Sequence, residues 1–137
     1  ILENSFGLGY YGPFSPNIAN SAESLVNKNF LDETTEFFPE AIGHRYRLSD
    51  DGKKVVLTLI EKLGQSAKGL PKIVAICKDQ GSRSLSIAAK VHYILKTMGA
   101  PMTSEEIAAQ AKKLNWDISG YEVEAASKLL HDLDLIE

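Results

Sequence analysis

TSEEIAAQAKKLNWDISGYEVEAASKLLHDLDLI, residues 103–136, is the stretch whose reading decides the fold. Thr103-Ser104-Glu105-Glu106 has the spacing of a capping box, in which a threonine hydroxyl and a carboxylate satisfy each other's backbone donors. Ile107, Ala108, Ala111 and Leu114 then recur at helical period. Trp116-Asp117-Ile118 is a connector. Ser119 caps a final helix with the apolar stripe Val123, Ala126, Leu129, Leu130 and Leu133, and Leu135-Ile136 turns extended. Upstream, Ile87, Ala88, Val91, Ile94, Leu95 and Met98 form another stripe, closed by Gly99 and Pro101. Three helices in this order, with a tight connector before the third, follow the helix-turn-helix plan.

The same cadence occurs near the other end. Ser15, Ala22, Leu25, Val26 and Leu31 stand at the spacing of Ser119, Ala126, Leu129, Leu130 and Leu135. Residues 7–16 are a Gly/Pro-rich turn, and Pro16 takes a favoured first helical position behind the Ser15 cap. The helix from about 16 to 29 is expected to bury Ile18, Ala22, Leu25 and Val26. Its opposite face is polar and rich in asparagine. Phe30-Leu31 opens an extended segment, Pro39 and Gly43 interrupt it, and His44–Leu48 returns, which makes a hairpin with a long loop, or wing. Ser49-Asp50-Asp51 caps a further helix, with acids at its positive end, and its buried face is Val55, Val56, Leu59, Ile60 and Leu63. Gly64 and Gly69-Leu70-Pro71 loosen or end it. Over Ile73, Val74 and Ile76 the pattern is too short to separate a helix from a buried strand.

The expected fold is mostly α with a small β-hairpin wing: a winged helix-turn-helix, in tandem if both cadences fold alike. The expected divisions are an N-terminal winged-helix-like module at 1–56, a connecting helical segment at 57–83 and a C-terminal helix-turn-helix module at 84–137. The chain starts at Ile1 and not at methionine. We therefore expect an upstream segment, and a first module short of its opening helices.

One set of residues carries a family resemblance. Tyr11-Gly12-Pro13-Phe14-Ser15 before a helix, then Leu25 and Phe30-Leu31, then Tyr46-x-Leu48-Ser49-x-x-Gly52, resembles the winged-helix family typified by YwgA. It is also similar to the related antitoxin group typified by SocA. Ser49 stands where those families usually have threonine, a mild departure because both residues cap helices. The resemblance covers roughly residues 8–60. It implies a DNA-binding-like or protein-binding role and supplies no catalytic residues.

Composition fits a globular protein of the reducing cytoplasm. Of 137 residues, 44% are hydrophobic and 24% charged, which does not suit a disordered chain. A lone cysteine, Cys77, excludes an intramolecular disulfide. No apolar run approaches the ~20 residues of a membrane-spanning helix, so no membrane partner is expected. The net charge is −3 and unevenly spread. Residues 1–56 hold five Lys/Arg against eight Asp/Glu, residues 57–102 seven against two, and residues 103–137 three against eight. DNA contact would therefore need a local patch, and the acidic C-terminal module is badly placed to supply it.

The best patch is the polar face of helix 16–29. Asn17, Asn20, Ser21 and Ser24 lie where a recognition helix meets base edges, and asparagine can bond adenine through two hydrogen bonds. Arg45 and Arg47, with His44, could reach phosphate from the wing. The plain alternative is a solvated face, with the arginines paired to acids such as Glu36 or Glu40. Lys62, Lys68, Lys72, Lys78, Arg83, Lys90 and Lys96 are dispersed, and ordinary solvation is their default. On the final helix Glu122, Glu124 and Asp132 oppose Lys128, while Gly120 and Tyr121 suit a protein contact.

Other motifs carry no chemistry. Gly7-x-Gly9-x-x-Gly12, with Asp32 and Glu33 downstream, spells a dinucleotide fingerprint. The context opposes it, because Ile1–Phe6 holds Glu3, Asn4 and Ser5 where a buried strand is needed, and Pro13 follows at once. His44, His92 and His131 lack ligand spacing, so neither metal nor cofactor is expected. His92 reads as a half-buried packing residue and Cys77 as a small buried hydrophobe. Asp50-Asp51 and Glu105-Glu106 are explained by capping, and no catalytic constellation stands out. The expectation is a winged-helix DNA-binding protein, a transcriptional regulator and not an enzyme. It would contact duplex DNA through the first module, and itself (as a dimer) or another protein through the C-terminal module. The alternative is an antitoxin- or adaptor-like module that binds only proteins.

Overall fold

The computed structural model describes residues 6–9, 12–38, 41–64 and 69–137. Ile1–Ser5, Tyr10, Tyr11, Pro39, Glu40 and Gln65–Lys68 lie outside the described residues, and with them Tyr11 of the family motif, the Pro39 break, the Glu40 pairing and Lys68. The architecture is mostly helical with two small antiparallel hairpins. In order the elements are β1 (Gly7–Gly9), β2 (Gly12–Phe14), α1 (Pro16–Asn27), β3 (Leu31–Phe38), β4 (Ala41–Leu48), α2 (Asp50–Leu63), α3 (Leu70–Cys77), α4 (Ser82–Met98), α5 (Ser104–Lys113) and α6 (Gly120–Asp132).

These elements form two compact units. One comprises residues 15–64, and the other comprises 6–9 and 12–14 together with 69–137. The Gly/Pro-rich turn, contiguous in sequence with α1, thus packs with the distant C-terminal helices. The central segment divides as well, α2 going to one unit and α3 to the other. α3 is a helix, which settles the ambiguity at Ile73–Ile76.

The C-terminal unit holds the core. Ile87, Ala88, Val91 and Ile94 of α4 meet Ile107 and Ala111 of α5 and Val123, Ala126, Leu129 and Leu130 of α6. Both capping boxes are made: Thr103 with Glu106, and Ser119 with Glu122. Trp116 and Ile118 of the connector are buried too, at 2% and 6% exposed. Met98, expected inside, is 49% exposed because it falls at the last turn of α4, beyond its neighbours' reach. The β1–β2 hairpin rests on α4, and the indole Nε1 of Trp116 donates to the Gly9 carbonyl at 3.3 Å. Gly9 and Gly12 are partners across this hairpin. Gly12 has φ +135°, and a Cβ on Gly9 would lie 2.6 Å from the Gly12 oxygen. Gly9 and Gly12 of the supposed fingerprint are thereby accounted for by close antiparallel pairing.

The recurrent cadence has a physical basis in how its helices stop. Asn29, Asn115 and Asp134 all adopt positive φ (58°, 57° and 56°). Behind each, two backbone bonds close the Schellman pattern: Asn29 N to Val26 O with Phe30 N to Leu25 O, and Asp134 N to His131 O with Leu135 N to Leu130 O. α5 ends the same way, with Trp116 N bonded to Ala111 O. The two copies drift by one residue, because α6 has 13 residues and α1 has 12. Leu135-Ile136 forms no strand, so the expected extension after α6 is corrected: among the described residues this unit has no wing.

The N-terminal unit differs from expectation in burial. α1 has no buried residue, and α2 buries only Gly52. Ile18 and Leu25 are 47% and 40% exposed, and Leu59, Ile60 and Leu63 are 45–58% exposed. Within this unit both helices meet the β3–β4 hairpin. Ser15, the expected cap, makes no side-chain bond to α1; its carbonyl accepts from Ala19 N at 3.2 Å instead. Ser49 does cap α2, accepting from Gly52 N at 3.0 Å and donating to the Asn29 carbonyl at 2.6 Å. The hairpin is tighter than the sequence suggested. It pairs from Leu31 with Leu48 to Phe38 with Ala41, and Gly43 is a strand residue opposite Glu36, not a loop breaker.

Candidate interaction surfaces

The register of the long hairpin sorts its side chains onto two faces, because successive strand residues point to opposite sides. Leu31, Tyr46, Leu48, Phe37 and Ile42 share one face with Glu33 and His44. Asp32, Thr34, Glu36, Arg45 and Arg47 share the other. Arg45 and His44 have partners within the hairpin. Arg45 donates to Glu36 through Nε at 2.6 Å, with a second guanidinium nitrogen at 2.5 Å, and this contact pushes the arginine pKa further up. His44 Nδ1 lies 2.9 Å from Glu33, and Arg47 stands opposite Asp32. A hydrogen bond to Glu33 also raises the Tyr46 phenol. On the apolar face, Phe37 and Ile42 are 81% and 66% exposed.

Asn17, Asn20, Ser21 and Ser24 are all exposed and line one shallow depression on α1 with Leu25. The structure therefore brings together four of the six expected DNA-contacting residues. Ser21 is turned inward in part, its hydroxyl donating to the Asn17 carbonyl at 2.7 Å. Arg45 and Arg47 form a separate set on the charged hairpin face.

In the C-terminal unit, Tyr121 stands 81% exposed at the start of α6. It lines a groove with Arg83, Ser84, Ile87, Ala125 and Ala126. Arg83 donates to Glu122 through two nitrogens at 2.9 and 2.7 Å. The Ser119 backbone N–H, Arg83 and the Ser119 hydroxyl together lower the Glu122 pKa to about 2. A carboxylate so depressed stabilises the fold fully above its ordinary value near 4.5 and loses that contribution as pH falls toward 2. Glu122→Gln is therefore expected to flatten the decline in unfolding free energy of this unit across that window. Urea unfolding at stepped pH checks it, and an unchanged slope would remove the pair from the account.

The remaining cations of this unit are scattered: Lys72 pairs with Asp134, and Lys90 Nζ sits 5.7 Å over the Trp116 ring, where burial lowers its pKa. His92 is half-buried as expected, and Nε2 has no hydrogen-bond partner. Burial and then Lys96 lower its pKa. It lines a cleft with Lys96, Met102, Ser127, His131 and Leu135 that the sequence pattern did not reveal, since α4 and α6 must be docked before it exists. Cys77 is half-buried and free. Among the described residues no group of three or more His, Cys, Asp or Glu could hold a metal, and no helix is long and apolar enough to cross a membrane.

No family model, curated protein or solved structure matches the chain. The functional reading consequently rests on the surfaces themselves.

Proposed function

We propose that the chain is an interaction protein of winged-helix-related architecture, akin to the YwgA and SocA groups, that binds other protein surfaces and performs no chemistry of its own. One observation carries the reading. Among its described residues the N-terminal unit buries only Ser15 and Gly52, while Phe37, Ile42, Leu57 and Ile60 stand 58–81% exposed. Monomeric proteins rarely leave large contiguous apolar patches to water, and patches that persist mark contact sites. The wing agrees with this. A DNA phosphate would have to displace Glu36 from Arg45 beside Asp32, on a face whose charges already balance. The Tyr121 groove, where Arg83 and Glu122 pair with each other, serves as a second protein contact.

Recognition of duplex DNA is the second reading, and the open Asn17/Asn20/Ser24 face favours it. Asn17, Asn20, Ser21 and Ser24 would meet base edges, and Arg45 and Arg47 would hold the backbone. Titration with mixed-sequence duplex DNA at low and moderate salt separates the two. The interaction reading expects no salt-dependent binding. Binding that weakens with salt, with a slope that flattens in Arg45→Ala/Arg47→Ala, would replace it with the DNA reading.

A further inference from the structure

The cleft beside His92 in the C-terminal unit is built from three helices and the returning tail. His92, Leu95, Lys96 and Gly99 recur at the three- and four-residue spacing of one side of α4. Ser127 and His131 stand one turn apart on α6 and supply a second wall. Ile107 of α5, 3% exposed, and half-buried Met102 add apolar lining. Two contacts hold the tail in place. Asp134 turns left-handed at φ 56°, with Leu135 N bonded to Leu130 O, and its carboxylate pairs with Lys72 of α3. Leu135 and Ile136 thereby join the lining. The cleft holds about 790 Å³, within the ~300–1,000 Å³ of small-molecule sites.

One corner of this cleft is polar and uncommitted. His92 Nε2 is closed off from water and has no hydrogen-bond partner. Folded proteins rarely leave such an atom unpaired. Lys96, one turn along α4, is exposed and makes no ion pair among the described residues. Burial and then the Lys96 charge depress the His92 pKa, and neither Asp134 nor Glu137 of the tail offsets them. Asp134 is neutralised by Lys72, with His131 acting on it as well. The potential at the His92/Lys96 corner is therefore positive and favours an anion. A carboxylate fits, because its two oxygens accept hydrogen bonds from an imidazole and an ammonium at once. Leu95, Met102, Ile107 and Leu135 suit an apolar remainder. A phosphodiester chain would find only one uncommitted ammonium in this lining.

We propose that this cleft binds a small organic monocarboxylate with an aliphatic or aromatic body, the carboxylate beside His92 and Lys96 and the body against Leu95, Met102 and Ile107. The site lies wholly in the C-terminal unit, so it is independent of what the N-terminal unit contacts. Titration with phenylacetate, followed by heteronuclear NMR, is expected to give saturable shifts centred on the cleft. Phenylacetamide, which is neutral, and acetate, which lacks the body, should each bind at least ~10-fold more weakly. Lys96→Gln should weaken phenylacetate by at least ~10-fold too. Lys128→Gln, on α6 outside the cleft, should leave it unchanged, and Trp116 emission should stay constant in both variants. Binding should also raise the His92 pKa, because the carboxylate offsets Lys96 and stabilises the imidazolium. Affinity then grows as pH falls from about 7 toward 5. His131, Asp134 and Glu137 also carry titratable groups into the lining, so the shift is read from the His92 imidazole resonances, assigned with His131→Asn. Absence of saturable shifts overturns the proposal, as does equal binding of the amide or of acetate. Indifference to Lys96→Gln, or a His92 pKa that does not rise, overturns it as well. The peptide N-acetyl-Gly-Gly-Phe offers the same groups at a chain end, and tighter binding of it than of phenylacetate would overturn the small-molecule assignment.

Discussion

Trp116→Ala is expected to remove about 3–5 kcal/mol from the stability of the C-terminal unit, the range for truncating a buried tryptophan. The side chain is 2% exposed and joins parts of the fold that are far apart in sequence. Its indole donates to Gly9, its ring meets Tyr93 edge-on at 6.0 Å, and the Lys90 ammonium lies over it. Truncation opens a cavity at the α5–α6 connector and frees the β1–β2 hairpin from its anchor. Against the ~5–15 kcal/mol typical of a whole domain, this loss would leave the unit marginal or unfolded at room temperature. Trp116→Phe keeps most of the apolar volume but leaves the Gly9 carbonyl without its donor, and should cost less than alanine by about 1–2 kcal/mol. Urea unfolding followed by far-ultraviolet circular dichroism measures both. A loss under ~1 kcal/mol for the alanine variant would mean that the connector is not part of the core.

The second large effect is expected at Gly52. Glycine to alanine inside a helix ordinarily stabilises by about 0.5–1 kcal/mol. Here the sign reverses, because the added Cβ would sit 2.0 Å from the Phe30 carbonyl oxygen and 3.0 Å from its carbon. These are backbone atoms of the turn on which α2 is seated. Ser49 N also donates to that Phe30 oxygen at 3.2 Å, so the turn cannot withdraw without losing the cap. The net loss should reach about 1–3 kcal/mol or more, as for overpacking a closed contact. It should appear as faster hydrogen exchange in α2. Gly120→Ala is the control: nothing lies within 4 Å of its Cβ position at the start of α6, and it should be neutral or slightly stabilising. Equal effects at the two sites would contradict the seating of α2.

Much of the C-terminal unit is legible in the chain. Thr103-x-x-Glu106 and Ser119-x-x-Glu122 mark two helix starts, and the stripes of α4, α5 and α6 give most of the core. Trp116 escapes the pattern because it belongs to no helical stripe. The usable signal is its place just after Asn115, where a left-handed residue turns the next side chain back onto the helix it leaves.

The N-terminal unit is legible as elements but not as packing. Periodicity shows which side of α1 or α2 is apolar, and says nothing about whether anything covers it. Ile60 and Leu63 therefore read like core residues and lie in water. The fate of the hairpin arginines is hidden for another reason. Arg45 meets Glu36 only once Thr34 is known to oppose Arg45, which places Glu36 two residues on along the same face. Reading Gly43 as a break lengthens the loop and shifts that register, and the ion pair vanishes from view. The candidate residues of α1 survive as a set, since helical spacing alone puts Asn17, Asn20, Ser21 and Ser24 together.

The central claim is that the exposed apolar surface of the N-terminal unit serves protein contact and that the unit does not bind duplex DNA. Hydrogen–deuterium exchange of the α1 and β3–β4 amides, with and without duplex DNA at low salt, tests it most directly. The account predicts that DNA leaves the exchange of α1 and the hairpin unchanged. Protection of α1 and the hairpin on adding DNA would contradict it.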